Sequence, residues 1–441
     1  DLAHVEALED GIHGDAVAIL YAVIEAHRLA VDEDHVDLGM RHTEGLDEVL
    51  HTRIADELRA VLPVRTPLPA GGEAVELLIQ SNRRLIHHLL TPGSYAPAMN
   101  IALSCTAEGF GHVARVVALA AELRDRFNIT IFCPRRVQPF VREHLPDVPV
   151  YTIPYFAFAK KKERIDYLGT AAKNLRQTVR FRATVSRLSR LLGRLGIEGV
   201  VCDYDPYLAY AARRIAVPIL QVNHPGIVLR THALSLSALA AKVWALFLMA
   251  HYDKRLLVSF YDGDVGPIVR REIADRPTSR GNYFVLYLKP SYRRTVLRKL
   301  RKLGIANVQV FPDRRRDFTA ALAGCAGVIS SAGHQFMSEA MVLGKPVFVI
   351  PQAGQFEQKL NALMLERAGR GTWSTMGALE TRLPRFMSEV HRYESVNRAH
   401  GRVFAGLRHE PRFVFHNDLE RAARKIARFF EGREAALRSA A

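Results

Sequence analysis

The sequence predicts an α/β protein in which two doubly wound parallel-sheet domains face each other across a cleft, behind an extra N-terminal segment. Three observations predict it. A chain of 441 residues exceeds one ordinary core and suits domains of roughly 100–200 residues each. From Met99 onward, short apolar runs alternate with stretches of helical periodicity, the pattern of parallel strands covered by helices. That alternation occurs twice, on either side of Val258–Ile273, which reads as the interdomain region.

The first series opens with the apolar run Asn100–Cys105 and the glycine-containing loop Thr106–Gly111. Val113, Val116, Val117, Ala120 and Leu123 then recur at helical spacing. Further strand-like runs are Ile129–Cys133, Val148–Ile153, Gly199–Cys202 and Pro218–Val222. The second series has strands at Tyr283–Leu288, Val308–Phe311, Gly327–Ser330 and Pro346–Ile350. A mostly helical, arginine-rich tail follows from about Ala378. The expected domains are 1–98, 99–273, 274–377 and 378–441. Ligands of such sheets bind at the C-terminal ends of the strands, so the site is expected where the two sets of ends meet.

Nearly half of the residues are apolar and a quarter are charged, the balance of a soluble globular protein. The four cysteines, Cys105, Cys133, Cys202 and Cys325, form no CxxC pair, which favours a reduced cytoplasmic protein without a structural metal site. No signal-peptide pattern is read. The most apolar window, Leu234–Ala250, is too short and interrupted for a membrane span. Residues 1–98 carry 17 acidic and 7 basic residues, a net charge of −10, which leaves +26 on residues 99–441. That excess favours an anionic partner: nucleic acid, an anionic membrane surface or a phosphorylated substrate. Residues 1–98 lack Phe, Trp, Cys and Lys but hold eight of the 18 histidines. No HxxxH or HExxH pair occurs among them, against a metal-binding domain. A helical appendage and a non-native upstream extension before Met99 are the other two readings, and no function is assigned to the segment.

The stretch "GVISSAGHQFMSEAMVLGKPVFVIPQ", residues 327–352, carries the strongest chemical signal. A strand feeds Ser331, Ala332, Gly333 and His334, and the helix that follows holds Gln335, Ser338 and Glu339 on its polar side. The unpaired N–H groups and partial positive charge of a helix N-terminus suit a diphosphate, and Gly333 lets it come close. A carboxylate just over one turn later can accept both hydroxyls of a ribose. The plain alternative is a solvated Glu and a His capping a turn. After the next strand, Gln352, Gln355, Glu357 and Gln358 crowd the loop, where amides and carboxylates suit a sugar's hydroxyls. Ordinary loop polarity is the alternative there.

Together, "SAGHQFMSEAMVLGKPVFVIPQ", "FEQKLNA" and "AGRG" resemble the donor-binding segment of GT-B glycosyltransferases of the UDP-glycosyltransferase and MurG type. The resemblance covers about residues 99–375. The pairing of "NIALSCTAEGFGHVAR" with "VVCDYDP" is similar to an uncharacterised bacterial and archaeal branch. It implies two Rossmann-like domains, a diphosphate at Gly333 and His334, a ribose at Glu339 and a donor sugar at Glu357 with Gln358. Inversion, metal independence and a nucleotide-sugar substrate without any cofactor are implied likewise. Two departures stand out: "KPSYRR" follows Tyr283–Leu288 in place of a glycine-rich loop, and the Trp of the plant-type "HCGWNS" is absent.

Within "EGFGHVAR", Gly109, Gly111 and Ala114 match the dinucleotide fingerprint GxGxxA. Pro134, Arg135 and Arg136 stand where NAD would need an acid, so an NADP-dependent reductase is the version left open. In the family resembled, this loop faces the cleft and its histidine, here His112, is a candidate base for the acceptor hydroxyl; a helix N-terminus would keep it neutral. Asp203 or Asp205 of "CDYDP" is expected to orient His112 or bind the acceptor, against a plain Asp-Pro turn. Asn223 and His224 end the next strand as acceptor-side candidates. Lys160–Arg194 holds 11 basic residues interleaved with Val185, Leu188, Leu192 and Leu195, which suits docking on anionic lipid, with a solvated face as the alternative. Nucleic acid is disfavoured, since no RNP, KH or zinc-finger signature accompanies the charge. The reading is an inverting glycosyltransferase that uses a UDP-sugar. Its rivals are a nucleotide-sugar 2-epimerase, the reductase and a basic non-enzymatic scaffold.

Overall fold

The computed structural model describes residues 99–161, 164–313, 315–393 and 410–440. The expectations for residues 1–98 lie outside the described residues. The chain starts with β1 (Asn100–Cys105), α1 (Phe110–Leu123), β2 (Asn128–Cys133), α2 (Gln138–His144) and β3 (Val150–Thr152). A small antiparallel pair, β4 (Ala159–Lys161) and β5 (Arg164–Asp166), leads into the long helix α3 (Tyr167–Arg194). Then come β6 (Gly199–Asp203), α4 (Pro206–Arg214), β7 (Ile219–Asn223), α5 (Leu236–Leu248) and β8 (Lys254–Leu257). The strands other than β4 and β5 form one parallel sheet in the order β3-β2-β1-β6-β7-β8.

This sheet is buried on both faces, which is why its central strands read as unbroken apolar runs. Side chains alternate between two cores. Ile101, Leu103 and Val201 join the layer beneath α1, while Ala102, Val200 and Cys202 join the layer beneath α3 and α4. All four cysteines are buried and unpaired.

After α6 (Arg271–Ala274), the second sheet is built from β9 (Phe284–Tyr287), α7 (Pro290–Lys302), β10 (Val308–Phe311), α8 (Phe318–Gly324), β11 (Gly327–Ser330) and α9 (His334–Val342). It continues with β12 (Val347–Val349), α10 (Phe356–Arg367) and β13 (Gly371–Trp373), followed by α11 (Leu379–Ser388). All five strands are parallel, in the order β10-β9-β11-β12-β13. The sequence expectations for both sheets hold, and β8 and β13 are edge strands it did not foresee.

The arginine-rich tail does not stay with the second sheet. Helix α12 (Leu419–Ala440) returns to the first and packs on α1, with Ile426 and Phe430 fully buried. Phe430 lies so close over Gly199 that a Cβ there would stand 2.4 Å from its ring. The returning chain is stitched to the segment after β8. Asp418 accepts from Gly266 N at 2.7 Å, and the Asn417 amide pairs with both the N–H and the C=O of Val269 at 2.9 Å. Phe430→Ala should therefore cost about 3–5 kcal/mol in chemical denaturation, as for a large core aromatic. A loss below 1 kcal/mol would mean that α12 is an appendage.

Candidate active site

In the first sheet the connections reverse direction between β1 and β6, and α1 and the end of β6 face each other at that switch point. His112 sits on the first turn of α1 and Asp203 is the last residue of β6. His112 Nδ1 lies 2.8 Å from Asp203 Oδ1. Arg115, one turn further along α1 and only 2 % exposed, forks onto the same carboxylate, Nε to Oδ2 at 2.7 Å and Nη2 to Oδ1 at 3.1 Å. Burial alone would raise the Asp203 carboxyl, but Arg115 and His112 outweigh it and hold the group below the usual carboxylate range. An ionised Asp203 accepts, so His112 donates from Nδ1, which in the neutral ring puts the lone pair on Nε2.

The two aspartates of "CDYDP" part company because Tyr204 between them has φ +60°, left-handed backbone that a non-glycine residue adopts at a cost of about 1–3 kcal/mol. Asp203 faces His112, whereas Asp205 caps α4, accepting from Tyr207 N at 3.1 Å and Leu208 N at 3.0 Å. Burial pushes the Asp205 carboxyl up to about 6. The structure thus gives Asp205 a helix-capping role in place of the acceptor-side one. The Tyr204 ring stacks parallel to His112 with centroids 5.9 Å apart.

The second sheet reverses between β9 and β11, and α9 begins there. Gly333 is its N-cap, extended and without a side-chain cap, with Ser331 and Gly333 both partly open to solvent. The His334 side chain, expected at a diphosphate, turns inward. It is 4 % exposed and sandwiched between His224 and Phe260, and its Nε2 accepts from Phe260 N at 3.1 Å. Burial, reinforced by His224, holds this ring well below the usual histidine range and therefore neutral. Only the backbone amide of His334 is left for a phosphate. Gln335 is likewise committed: Nε2 donates to Ile268 O at 2.8 Å and Glu339 Oε1 at 3.2 Å, and Oε1 accepts from Arg115 at 3.3 Å. Glu339 is buried, and burial, partly countered by Arg270, raises its carboxyl to about 6.

The ends of α1 and α9 touch. A Cβ on Gly111 would stand 2.7 Å from Gln335 Cβ, so Gly111 is needed for that approach. Gln335 occupies the space directly over Gly111, which counts against a dinucleotide pyrophosphate there. Gly109 meets no neighbour at its Cβ position.

Glu357, on the first turn of α10, is partly open, and its carboxyl is raised by burial against the pull of nearby His112 and Arg115. It also lies 3.9 Å from His224 Nε2. Glu357, expected on the donor side, and the His112–Asp203 pair therefore converge. Gln355 is the half-exposed N-cap of α10, and Gln358 Oε1 accepts from Gln352 N at 2.9 Å, shaping the loop. Asn223 and His224, the acceptor-side candidates, are instead buried struts. Asn223 Oδ1 accepts from Gly226 N at 3.0 Å, and His224 lies between Val258 O at 3.0 Å and Asn361 Oδ1 at 2.9 Å. Burial, aided by Arg115, pushes His224 down to about 3. Arg115, Asn361 and Tyr261, whose OH donates to Asn361 Oδ1 at 2.7 Å, escaped the sequence reading. A lone arginine one turn after His112, within an apolar helix, was the available signal for the first.

Residues 99–390 match the family model described as glycosyl transferase family 1. No curated protein sequence matches the chain. Among solved structures, the glycotransferase of kitacinnamycin is similar at 14% identity, covering 76% of this chain and 99% of that one with a TM-score of 0.46. MurG of Acinetobacter baumannii is similar at 14% identity over 67% of this chain and 92% of its own, TM-score 0.41. LpCGTa, solved in complex with UDP, is similar at 14% identity over 76% and 99%, TM-score 0.47.

Two outcomes are expected. The folded state holds a proton on Glu339 that the unfolded chain releases between 4.5 and about 6. The associated stability is present below 4.5 and lost as pH rises through 6. Glu339→Gln, which carries no charge, should then be more stable than wild type at pH 7.5 by on the order of 2 kcal/mol, with the gap closing at pH 4.5; an equal gap at both would refute the buried-charge account. Arg115→Met removes the partner that keeps Asp203 ionised, so the acid limb of the pH–rate profile should move to higher pH, and an unmoved limb would deny Arg115 that role.

Proposed function

The chain belongs to glycosyl transferase family 1, and from that premise we propose that it transfers a sugar from a UDP-sugar to a hydroxyl acceptor with inversion at the anomeric carbon. One observation carries the reading: the 2.8 Å contact between His112 Nδ1 and Asp203, which leaves Nε2 as the proton acceptor, on a helix whose first turn touches that of α9 through Gly111 and Gln335. The acceptor O–H gives its proton to His112 Nε2 as its oxygen bonds to the anomeric carbon. The bond from that carbon to the β-phosphate oxygen breaks, and its electron pair leaves with UDP. Asp203 stabilises the imidazolium formed, as a buried carboxylate behind a base does.

The charge that develops on the leaving diphosphate is met by the backbone amides opening α9, an electrostatic contribution that strengthens as the bond breaks. Glu339 accepts from the ribose hydroxyls, and Glu357, with Gln358 shaping the loop beside it, orients the sugar. The choice of uridine, inversion and metal independence are supported by the motif resemblance over residues 331–362.

UDP should stabilise the protein in a thermal shift more than GDP or dTDP does, and Glu339→Ala should abolish that stabilisation; stabilisation untouched by Glu339→Ala would refute the ribose assignment. In UDP release from the best UDP-sugar with a hydroxyl-acceptor mixture, His112→Ala and Asp203→Asn should each lose about 10²–10⁴-fold in rate. Both should keep the UDP thermal shift. A variant with wild-type turnover would refute the base.

A further inference from the structure

Outside the cleft, two neighbouring helices of the first lobe show a surface that the transfer chemistry does not use. Helix α5 exposes Leu236 (86 %), Leu239, Val243 (67 %) and Leu246, spaced three and four residues apart on one face. The helix lies in the window read from sequence as too short for a span, and among the described residues no helix is long and apolar enough to cross a membrane. Beside it runs α3, joined to it through Phe181, which packs against Phe247. Helix α3 contains no acidic residue, and its seven lysines and arginines from Lys173 to Arg194 are all exposed. Leu175 and Val179 (75 %) stand among them. Among the described residues none of these cations meets a carboxylate. Arg190 and Arg194 also flank Gly193 along a surface depression of about 530 Å³.

We propose that this α3–α5 face docks on an anionic lipid surface, the apolar stripe of α5 entering the headgroup region while the α3 cations hold the lipid phosphates. Leaving several large apolar side chains on one helix face in water costs free energy that burial in lipid recovers. Cations without a carboxylate partner favour an anionic ligand, and the adjoining stripe requires that it also be apolar, which a bilayer surface satisfies and a nucleic acid backbone does not. Helix α5 packs against α10, the helix that carries Glu357, so docking sets the cleft beside the lipid. The corollary that the acceptor is drawn from that surface rests on the sugar-transfer reading, whereas docking itself is read without turnover.

The test is co-sedimentation of the full chain with phosphatidylcholine vesicles, with and without phosphatidylglycerol. Wild type should bind only the anionic vesicles, and less as salt rises. Arg180→Ala, Arg187→Ala and Arg190→Ala should each weaken binding roughly fivefold. Leu239→Ser, Val243→Ser and Leu246→Ser together should weaken it at least roughly tenfold. All these side chains are exposed, so the melting temperature should stay at the wild-type value and report that the variants fold. Equal binding to neutral vesicles, variants that bind like wild type, or capture by an acidic protein or a nucleic acid but not by vesicles would overturn the proposal.

Discussion

The buried pair between Arg115 and Asp203 is the interaction on which the site depends. Both side chains are almost wholly removed from water, and two charges in that position are tolerated only because the guanidinium fork meets the carboxylate with two hydrogen bonds. Stripping one partner from such a pair costs about 3–5 kcal/mol, because the other charge is left buried alone. What the pair secures is a fixed, ionised Asp203, and through it the tautomer and direction of His112. Since Arg115 also donates to Gln335 across the lobes, the orientation of His112 is tied to the seating of α9.

That seating follows from topology. Each sheet reverses its winding at one place, and the helix beginning there has its unpaired amides at the cleft. Gly111 permits the two helix ends to touch, and the returning α12 completes the layer that holds α1 in place. His334, His224, Asn361 and Tyr261 form a buried, hydrogen-bonded cluster beneath this junction. Burial drives both rings toward the uncharged form, and they brace the junction between the lobes.

Much of this was legible in the sequence because of burial on both faces. Asn100–Cys105, Val308–Phe311 and Gly327–Ser330 were read at their observed boundaries, since parallel strands under helices show as apolar runs. Lys254–Leu257 and Gly371–Trp373 were not, because an edge strand can carry charge on its open side and a three-residue strand has no period to read. Asp203 and Asp205 were both candidates in "CDYDP", with the Asp-Pro turn leaning toward Asp205, and the left-handed Tyr204 between them turns one carboxylate to His112 and the other to the start of α4. The inward turn of the His334 side chain had no signal in the sequence, because which way a side chain turns at a helix start is set here by Phe260 and His224, far away in sequence. The return of α12 to the first sheet is a long-range packing choice that local periodicity cannot express.

The central claim is that a nucleotide diphosphate lies on the backbone amides opening α9, within reach of the His112–Asp203 pair. A crystal structure of the complex with UDP tests it most directly. The account predicts the β-phosphate at the amides around Gly333 and His334, the ribose hydroxyls on Glu339, and the free nitrogen of His112 facing the sugar side of the phosphate. A nucleotide bound away from the start of α9, or a His112 whose Nε2 is turned from it, would contradict the account.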